Sequence, residues 1–295
     1  MPAFDLQLYF RGPLSSCNYD CDYCPFAKHV SSRDELVADR LAVERFVEWC
    51  ERHDQRRLSI LFTPWGEGLI RRWYRDALLR LAALPHVVAV AIQTNLSTRL
   101  DWLDRLDALP EHARAALGLW TTYHPTQVAL DRFVERSAEL VERRVVHSVG
   151  VVGLREHFPA IAELRERLDP GVYLWINAYK SAGPGYYAAD EHAWLSAIDP
   201  LFEHNAVRHR SLGQACSAGA SSLLVRGDGS LARCHFVERI VGNLYADDLD
   251  RVLGPSPCPQ SQCGCFIGYA HLDRLGLRER FGTGLAARVL PIATQ

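Results

Sequence analysis

Eight of the nine cysteines in this 295-residue chain fall into two groups. The first, Cys17-Asn18-Tyr19-Asp20-Cys21-Asp22-Tyr23-Cys24, sets three thiols three and then two residues apart. A loop this short cannot readily fold back to pair them. Three thiolates can, however, surround one inorganic body and leave its fourth coordination position open. The second group is Cys216, Cys234, Cys258, Cys263 and Cys265. An odd total cannot be used up in a disulfide framework. No charged leader with an apolar h-region and cleavage site opens the chain, and no apolar run nears the roughly 18 residues of a spanning helix. The expectation is a cytoplasmic protein without a membrane partner, in a compartment where clustered cysteines hold metal more often than disulfides. The formal charge of −2, from 33 Lys and Arg against 35 Asp and Glu, gives no sign bias toward nucleic acid.

Positioning these thiols requires elements, and they recur in order. Phe4 to Phe10 alternates apolar and polar residues as a strand does, ending at Arg11-Gly12-Pro13, so the first cysteine loop follows a strand. Val43, Phe46, Val47 and Cys50 lie at helical spacing, predicting an amphipathic helix from about Asp34 to Arg52 with Cys50 as a core residue. Leu58–Phe62 reads as a strand, followed by the loop Thr63-Pro64-Trp65-Gly66-Glu67-Gly68 and a helix with Ile70, Trp73, Tyr74, Ala77, Leu78 and Leu81 on one face. The pattern repeats with strands at Val87–Ile92, Leu117–Trp120, Val145–Val152 and Val172–Ile176, the last leading to a Gly/Pro-rich loop through Tyr187. Alternating strands and helices predict a parallel sheet, here an α/β partial (β/α)6 TIM-like barrel. In such barrels the loops after the strands build the active site, so the motifs converge.

From Cys216 the character changes. Ser222–Val225 and Ser230–Arg233 flank Gly227-Asp228-Gly229 and predict a β-hairpin, with Cys216 before it and Cys234 closing it. Leu244–Leu253 reads as a short helix capped by Asp247, ahead of the proline-rich loop that carries Cys258, Cys263 and Cys265. The division expected is 1–210 for the barrel and 211–295 for a cysteine-rich extension.

With these elements in place the chain resembles the radical S-adenosylmethionine (SAM) superfamily. Cys17, Cys21 and Cys24 match its three-cysteine signature, with Tyr23 as the penultimate aromatic. Gly66-Glu67 matches the later part of the Gly-Gly-Glu motif that receives the methionyl amino group, although Trp65 replaces the first glycine and Gly68 stands where proline is common. Thr94-Asn95 resembles the segment near the ribose, and Gly153 and Glu156 partly match a pattern lying against the adenine. His124 is either a substrate contact or a turn residue, and Lys180, Tyr186 and Tyr187 lie in a loop suited to substrate contact. Cys216, Gly229 and Cys234 resemble the hairpin of the SPASM and twitch extensions, which carry auxiliary iron–sulfur clusters. Five remaining cysteines imply one such cluster, held by Cys216, Cys234 and two of Cys258, Cys263 and Cys265.

The resemblance implies a [4Fe–4S] cluster whose open iron is chelated by SAM, reductive cleavage of SAM to a 5′-deoxyadenosyl radical, and hydrogen abstraction from a substrate. It also implies a flavodoxin- or ferredoxin-type reductant, and an auxiliary [4Fe–4S] cluster that transfers electrons or binds substrate. The substrate is a small molecule or a peptide. With the first ligand at position 17 no leader-binding domain is expected ahead of the barrel, which tilts toward small molecules or peptides delivered by a separate chain. The rival reading is a non-catalytic zinc or iron–sulfur protein, a binding module or an electron carrier, since four thiolates also suit tetrahedral zinc. The cysteine spacings 258–263 and 263–265 are not the usual two-residue zinc knuckle.

Overall fold

The computed structural model describes residues 3–27, 29–183 and 185–291; Pro184, in the Gly/Pro-rich loop, lies outside them. Six strands run parallel and neighbour one another in sequence order: β1 (Leu6–Arg11), β2 (Leu58–Phe62), β3 (Val87–Thr94), β4 (Leu117–Tyr123), β5 (Val146–Val152) and β6 (Leu174–Asn177). The helices between them are α1 (Arg33–Arg52), α2 (Arg72–Ala82), α3 (Glu111–Ala116), α4 (Leu130–Glu142) and α5 (Phe158–Arg167). All five residues of β2 are buried, as in strands covered on both faces. The start of α1 is fixed by a capping box in which Ser32 and Glu35 satisfy each other's backbone N–H groups. Cys50 is fully buried on the inner face of α1, as expected of a core cysteine.

After β6 come α6 (Ala189–Ile198), α7 (Phe202–Ala206) and the two-residue β7 (His209–Arg210). The predicted hairpin forms from β8 (Ser222–Arg226) and β9 (Ser230–Ala232), and β10 (Ile240–Asn243) adds to it. Gly229 takes φ +89° in the turn, where a Cβ would come within 2.3 Å of the Tyr245 ring, so only glycine fits. The hairpin does not stand apart. β8 pairs in parallel with β1, Leu8 opposite Leu223, giving one nine-stranded sheet in the order β10-β9-β8-β1-β2-β3-β4-β5-β6. The fold is therefore α/β with a mostly parallel sheet. The helix expected over Leu244–Leu253 is shorter, α8 (Leu249–Val252), and its cap is Asp248 rather than Asp247. The Asp247 carboxylate accepts instead from Asn243 N at 2.7 Å, closing the turn after β10.

The chain continues through β11 (Gln262–Cys263), which pairs with β7, then α9 (Phe266–Tyr269) and α10 (Leu277–Phe281). Strand alternation sends Leu6, Leu8 and Phe10 toward the helices, where Phe46, Phe62 and Tyr74 pack. Tyr9, Leu61, Ala91, Trp120 and Trp175 point to the other face, which is covered by Phe266, Tyr269, Phe281 and Leu285–Ala287. Small residues admit this cover. A Cβ on Gly118 would lie 2.6 Å from that of Ala287, and Ser148 Oγ donates to Ala287 O at 2.7 Å. Among the described residues no helix is long and apolar enough to cross a membrane.

Candidate functional site

The first cysteine loop leaves the C-terminal end of β1 and is fastened from two sides. Asp39 of α1, fully buried, accepts from Leu14 N at 3.0 Å, Tyr74 Oη at 3.0 Å and Trp73 Nε1 at 2.7 Å. Burial pushes its carboxyl up while these three donors pull it back. On the other side the loop after β2 runs against it, with Trp65 N donating to Leu14 O and Glu67 N to Ser16 O at 3.1 and 3.2 Å. A Cβ at Gly66 would sit 1.9 Å from Ser16 O, so the two backbones meet only because residue 66 is glycine. Trp65 projects outward, stacked on Phe26 and lying under the Arg11 guanidinium, so a large side chain is accommodated where the resembling motif has glycine.

Glu67 binds the β2 and β3 loops together. Its Oε1 accepts from Leu69 N and Thr94 Oγ1, both at 2.9 Å, and its Oε2 from Asn95 N at 2.6 Å. Burial raises this carboxyl to about 7, against those three donors. Asn95 in turn reaches the cysteine loop, donating through Nδ2 to Asn18 Oδ1 at 3.0 Å and toward Cys17 Sγ at 3.7 Å, while Tyr19 N donates to Cys17 Sγ at 3.4 Å. His124 also comes to this loop, its Nδ1 lying 3.4 Å from Cys21 Sγ and 2.8 Å from Tyr23 Oη. Burial first, and His157 second, lower His124 to about 4, so it is neutral at pH 7. None of the three thiols is in a disulfide; Cys21 is buried and the other two are half-buried.

The expected residues of the last two barrel loops form a separate knot. Tyr187 Oη donates to Gly153 O at 2.7 Å and accepts from Tyr179 N at 2.8 Å; a Cβ on Gly153 would meet that hydroxyl at 2.8 Å. Tyr186 accepts from Arg155 N. Glu156 lies in the short turn that follows. Lys180 donates to Asn205 O, and burial brings its ammonium down to about 8.

The second group assembles from distant segments. Cys258 is brought to Cys216 by Gly213 N to Cys258 O (2.9 Å) and Cys258 N to Gln214 O (3.2 Å). Cys263 pairs with His209 in β11, and its Sγ occupies the place a Cβ on Gly268 would need, 2.7 Å away. Burial raises Cys216 and Cys234, and each is raised further by the charge of Cys258. Cys263 is raised to about 12 by burial and then by Cys234, Cys265 and Cys258. Arg233 lies among these thiols, buried, with Nη1 donating to Pro257 O and Nη2 without a partner among the described residues. Cys265 differs. Burial raises its thiol although solvent reaches the side chain, and Lys180, Arg288 and Arg11 are the cations acting on it.

Among the described residues no three His, Cys, Asp or Glu side chains surround a single-ion position. A cubane cluster does not ask for one, because each thiolate takes its own iron. Backbone and amide N–H groups aimed at Cys17 Sγ, and the orphaned Arg233 Nη2 among the second thiols, suit ligands of an anionic cluster. A cleft of about 810 Å³ among Asp5, Arg45, Trp49 and Tyr245 has no cysteine in its lining and takes no part in this site.

No family model and no curated protein matches the chain. Solved structures do. Native anSMEcpe with bound AdoMet superimposes with a TM-score of 0.51 at 16% identity, over 84% of this chain and 80% of that one. Native anSMEcpe with bound AdoMet and Cp18Cys peptide gives the same score and identity over 84% and 79%. What is shared is the fold.

Proposed function

We propose that this chain is a radical SAM enzyme. The observation that carries the reading is the convergence of three closely spaced thiols, on one loop at the C-terminal end of β1, with the Gly66-Glu67 and Thr94-Asn95 loops that Glu67 ties to each other. The neighbouring anSMEcpe structures of the same fold hold AdoMet, which supports SAM as the ligand here. The sheet is read as a partial (β/α)6 barrel over residues 1–210, with residues 211–295 as a twitch-like extension.

Cys17, Cys21 and Cys24 would hold a [4Fe–4S] cluster. Bound there, a reduced cluster would supply one electron to the sulfonium of SAM, whose carbon–sulfur bond would break to leave methionine and a hydrogen-abstracting carbon radical. The chain's own residues do the positioning. Tyr23, Gly66, Glu67, Thr94, Asn95 and Gly153 form the surroundings of the cofactor, Gly66 by letting two backbones meet and Glu67 by fixing two loops at once. Neutral His124 supports Cys21 and Tyr23 without adding charge. The C-terminal cover excludes water from the inner face of the sheet, which a reactive radical requires.

For the auxiliary cluster the mutual influence of the thiols favours Cys216, Cys234, Cys258 and Cys263 as ligands and leaves Cys265 as the spare thiol. A flavodoxin- or ferredoxin-type protein would supply electrons, and the substrate is a small molecule or a peptide. Anaerobic reconstitution tests the reading: about eight irons per chain with SAM-dependent formation of 5′-deoxyadenosine supports it. Zinc without iron, and no SAM cleavage, would overturn it.

A further inference from the structure

Arg288 is 2% exposed, and its Nε has no hydrogen-bond partner among the described residues. Its backbone sits at φ +53°, in the left-handed region that non-glycine residues avoid, which turns the side chain back into the molecule. The guanidinium lies 4.2 Å from the ring centroids of Trp175 and Phe266 and 5.5 Å from Trp120, on the inner face of the sheet. Stacking of this kind orients a guanidinium but leaves its N–H edge to be satisfied. Asp199, the carboxylate that shares influence over Tyr173 and Tyr269 with Arg288, is already committed to Tyr173 Oη, Ile176 N and Leu201 N at 2.6–2.9 Å.

Arg288 is not the sole cation there. Lys180, just beyond the C-terminal end of β6, and Arg11, at that of β1, act with it on Cys265. Lys180 spends one donor on Asn205 O and Arg11 one on Thr63 O. Both retain further N–H groups. Three buried or half-buried cations, none in an ion pair with a carboxylate among the described residues, form an incomplete electrostatic set. Lys180 and Arg11 lie at the same ends of the strands as the first cysteine loop, and Arg288 reaches Trp120 and Trp175 on the inner face of the sheet from the C-terminal cover.

We propose that Arg288, with Lys180 near it, binds an oxyanion of the substrate, a carboxylate or a phosphate, at the N–H edge that the rings of Trp120, Trp175 and Phe266 leave unsatisfied. This rests on the radical-enzyme reading for the identity of the substrate site, while the oxyanion binding itself is measurable without turnover. The guanidinium's planar fork matches both groups, and the aromatic rings exclude water around it.

The test is calorimetric titration of reconstituted, SAM-loaded protein with benzoate, phenyl phosphate and neutral benzamide. The wild type is expected to bind one or both anions and not benzamide, the tighter arm naming carboxylate or phosphate. Arg288→Met should weaken that binding roughly 10- to 100-fold, with Arg288→Lys in between. Should Arg288→Met not fold, Lys180→Met serves, with a smaller loss. Equal binding by wild type and variants overturns the proposal, as does absence of anion binding by the wild type. Loss of about half the iron from both Arg288 variants also overturns it, because the guanidinium would then be the partner of the auxiliary cluster. Failure of the wild type to form 5′-deoxyadenosine while anion binding persists removes the radical reading alone.

Discussion

The two groups of thiols are built in contrasting ways. The first comes from eight consecutive residues and owes its shape to neighbouring loops, through Asp39, Gly66, Glu67 and Asn95. The donors aimed at Cys17 are an amide side chain and a backbone N–H. The second is gathered from residues 216 to 265, with Arg233 among the thiols and Arg11, Lys180 and Arg288 around Cys265. The first is a local loop braced by two buried carboxyls and an amide, with no cation among the donors to Cys17. The second is gathered over 50 residues with cationic side chains among its thiols. On the proposed reading, the difference would suit a cluster with an open ligand position and one held by charge-compensating side chains.

The largest break in this contrast is expected from Cys21→Ala, which should abolish 5′-deoxyadenosine formation and remove about half the iron, the remainder staying with the second group. Next, Cys234→Ala should also remove about half the iron but leave the first cluster's spectroscopic signature in place, whereas Cys265→Ala should leave iron content unchanged. Loss of iron from Cys265→Ala equal to that from Cys234→Ala would contradict the division of the five thiols. A smaller effect is expected from Gly66→Ala. The added methyl must displace Ser16, a cost of about 1–3 kcal/mol in the denaturation midpoint together with weaker SAM binding.

The smallest effect concerns pH. Burial raises Glu67 to about 7, above its unfolded value, so its stabilising share is complete below the unfolded pKa and is lost as pH rises through 7. The stability advantage of wild type over Glu67→Gln should therefore shrink between pH 5.5 and 8.5. A constant difference across that range would show that burial is not what sets this carboxyl.

Much of the sheet was legible in the sequence because buried parallel strands are short apolar runs between turn signals, and β1 to β6 fall where those runs lie. The hairpin was legible from Gly227-Asp228-Gly229. Its attachment to β1 was not, since pairing between residues 7 and 222 leaves no local pattern. Asp247 and Asp248 are equivalent as caps in sequence; the structure separates them because Asn243 N claims the first. In the site, the cysteines and Gly66-Glu67 announced themselves by spacing, and His124 was noticed without its partner. Arg288 went unseen. It lies in short turns without periodicity, and the available hint was Ala286-Ala287, small residues matching Gly118 and Ala91 across the interface.

The C-terminal cover also sets an order of events. Tyr9 Oη meets His271 Nε2 across 262 residues of chain, and Ser148 meets Ala287 across 139. During synthesis the first cysteine loop therefore emerges long before the segment that seals the inner face, and such distant pairings form slowly. On the proposed reading, iron loading at that loop would be able to begin on a nascent chain whose interior still stands open. Fusions or truncations that delay residues 266–288 would prolong the interval in which Trp120 and Trp175 meet solvent and oxygen.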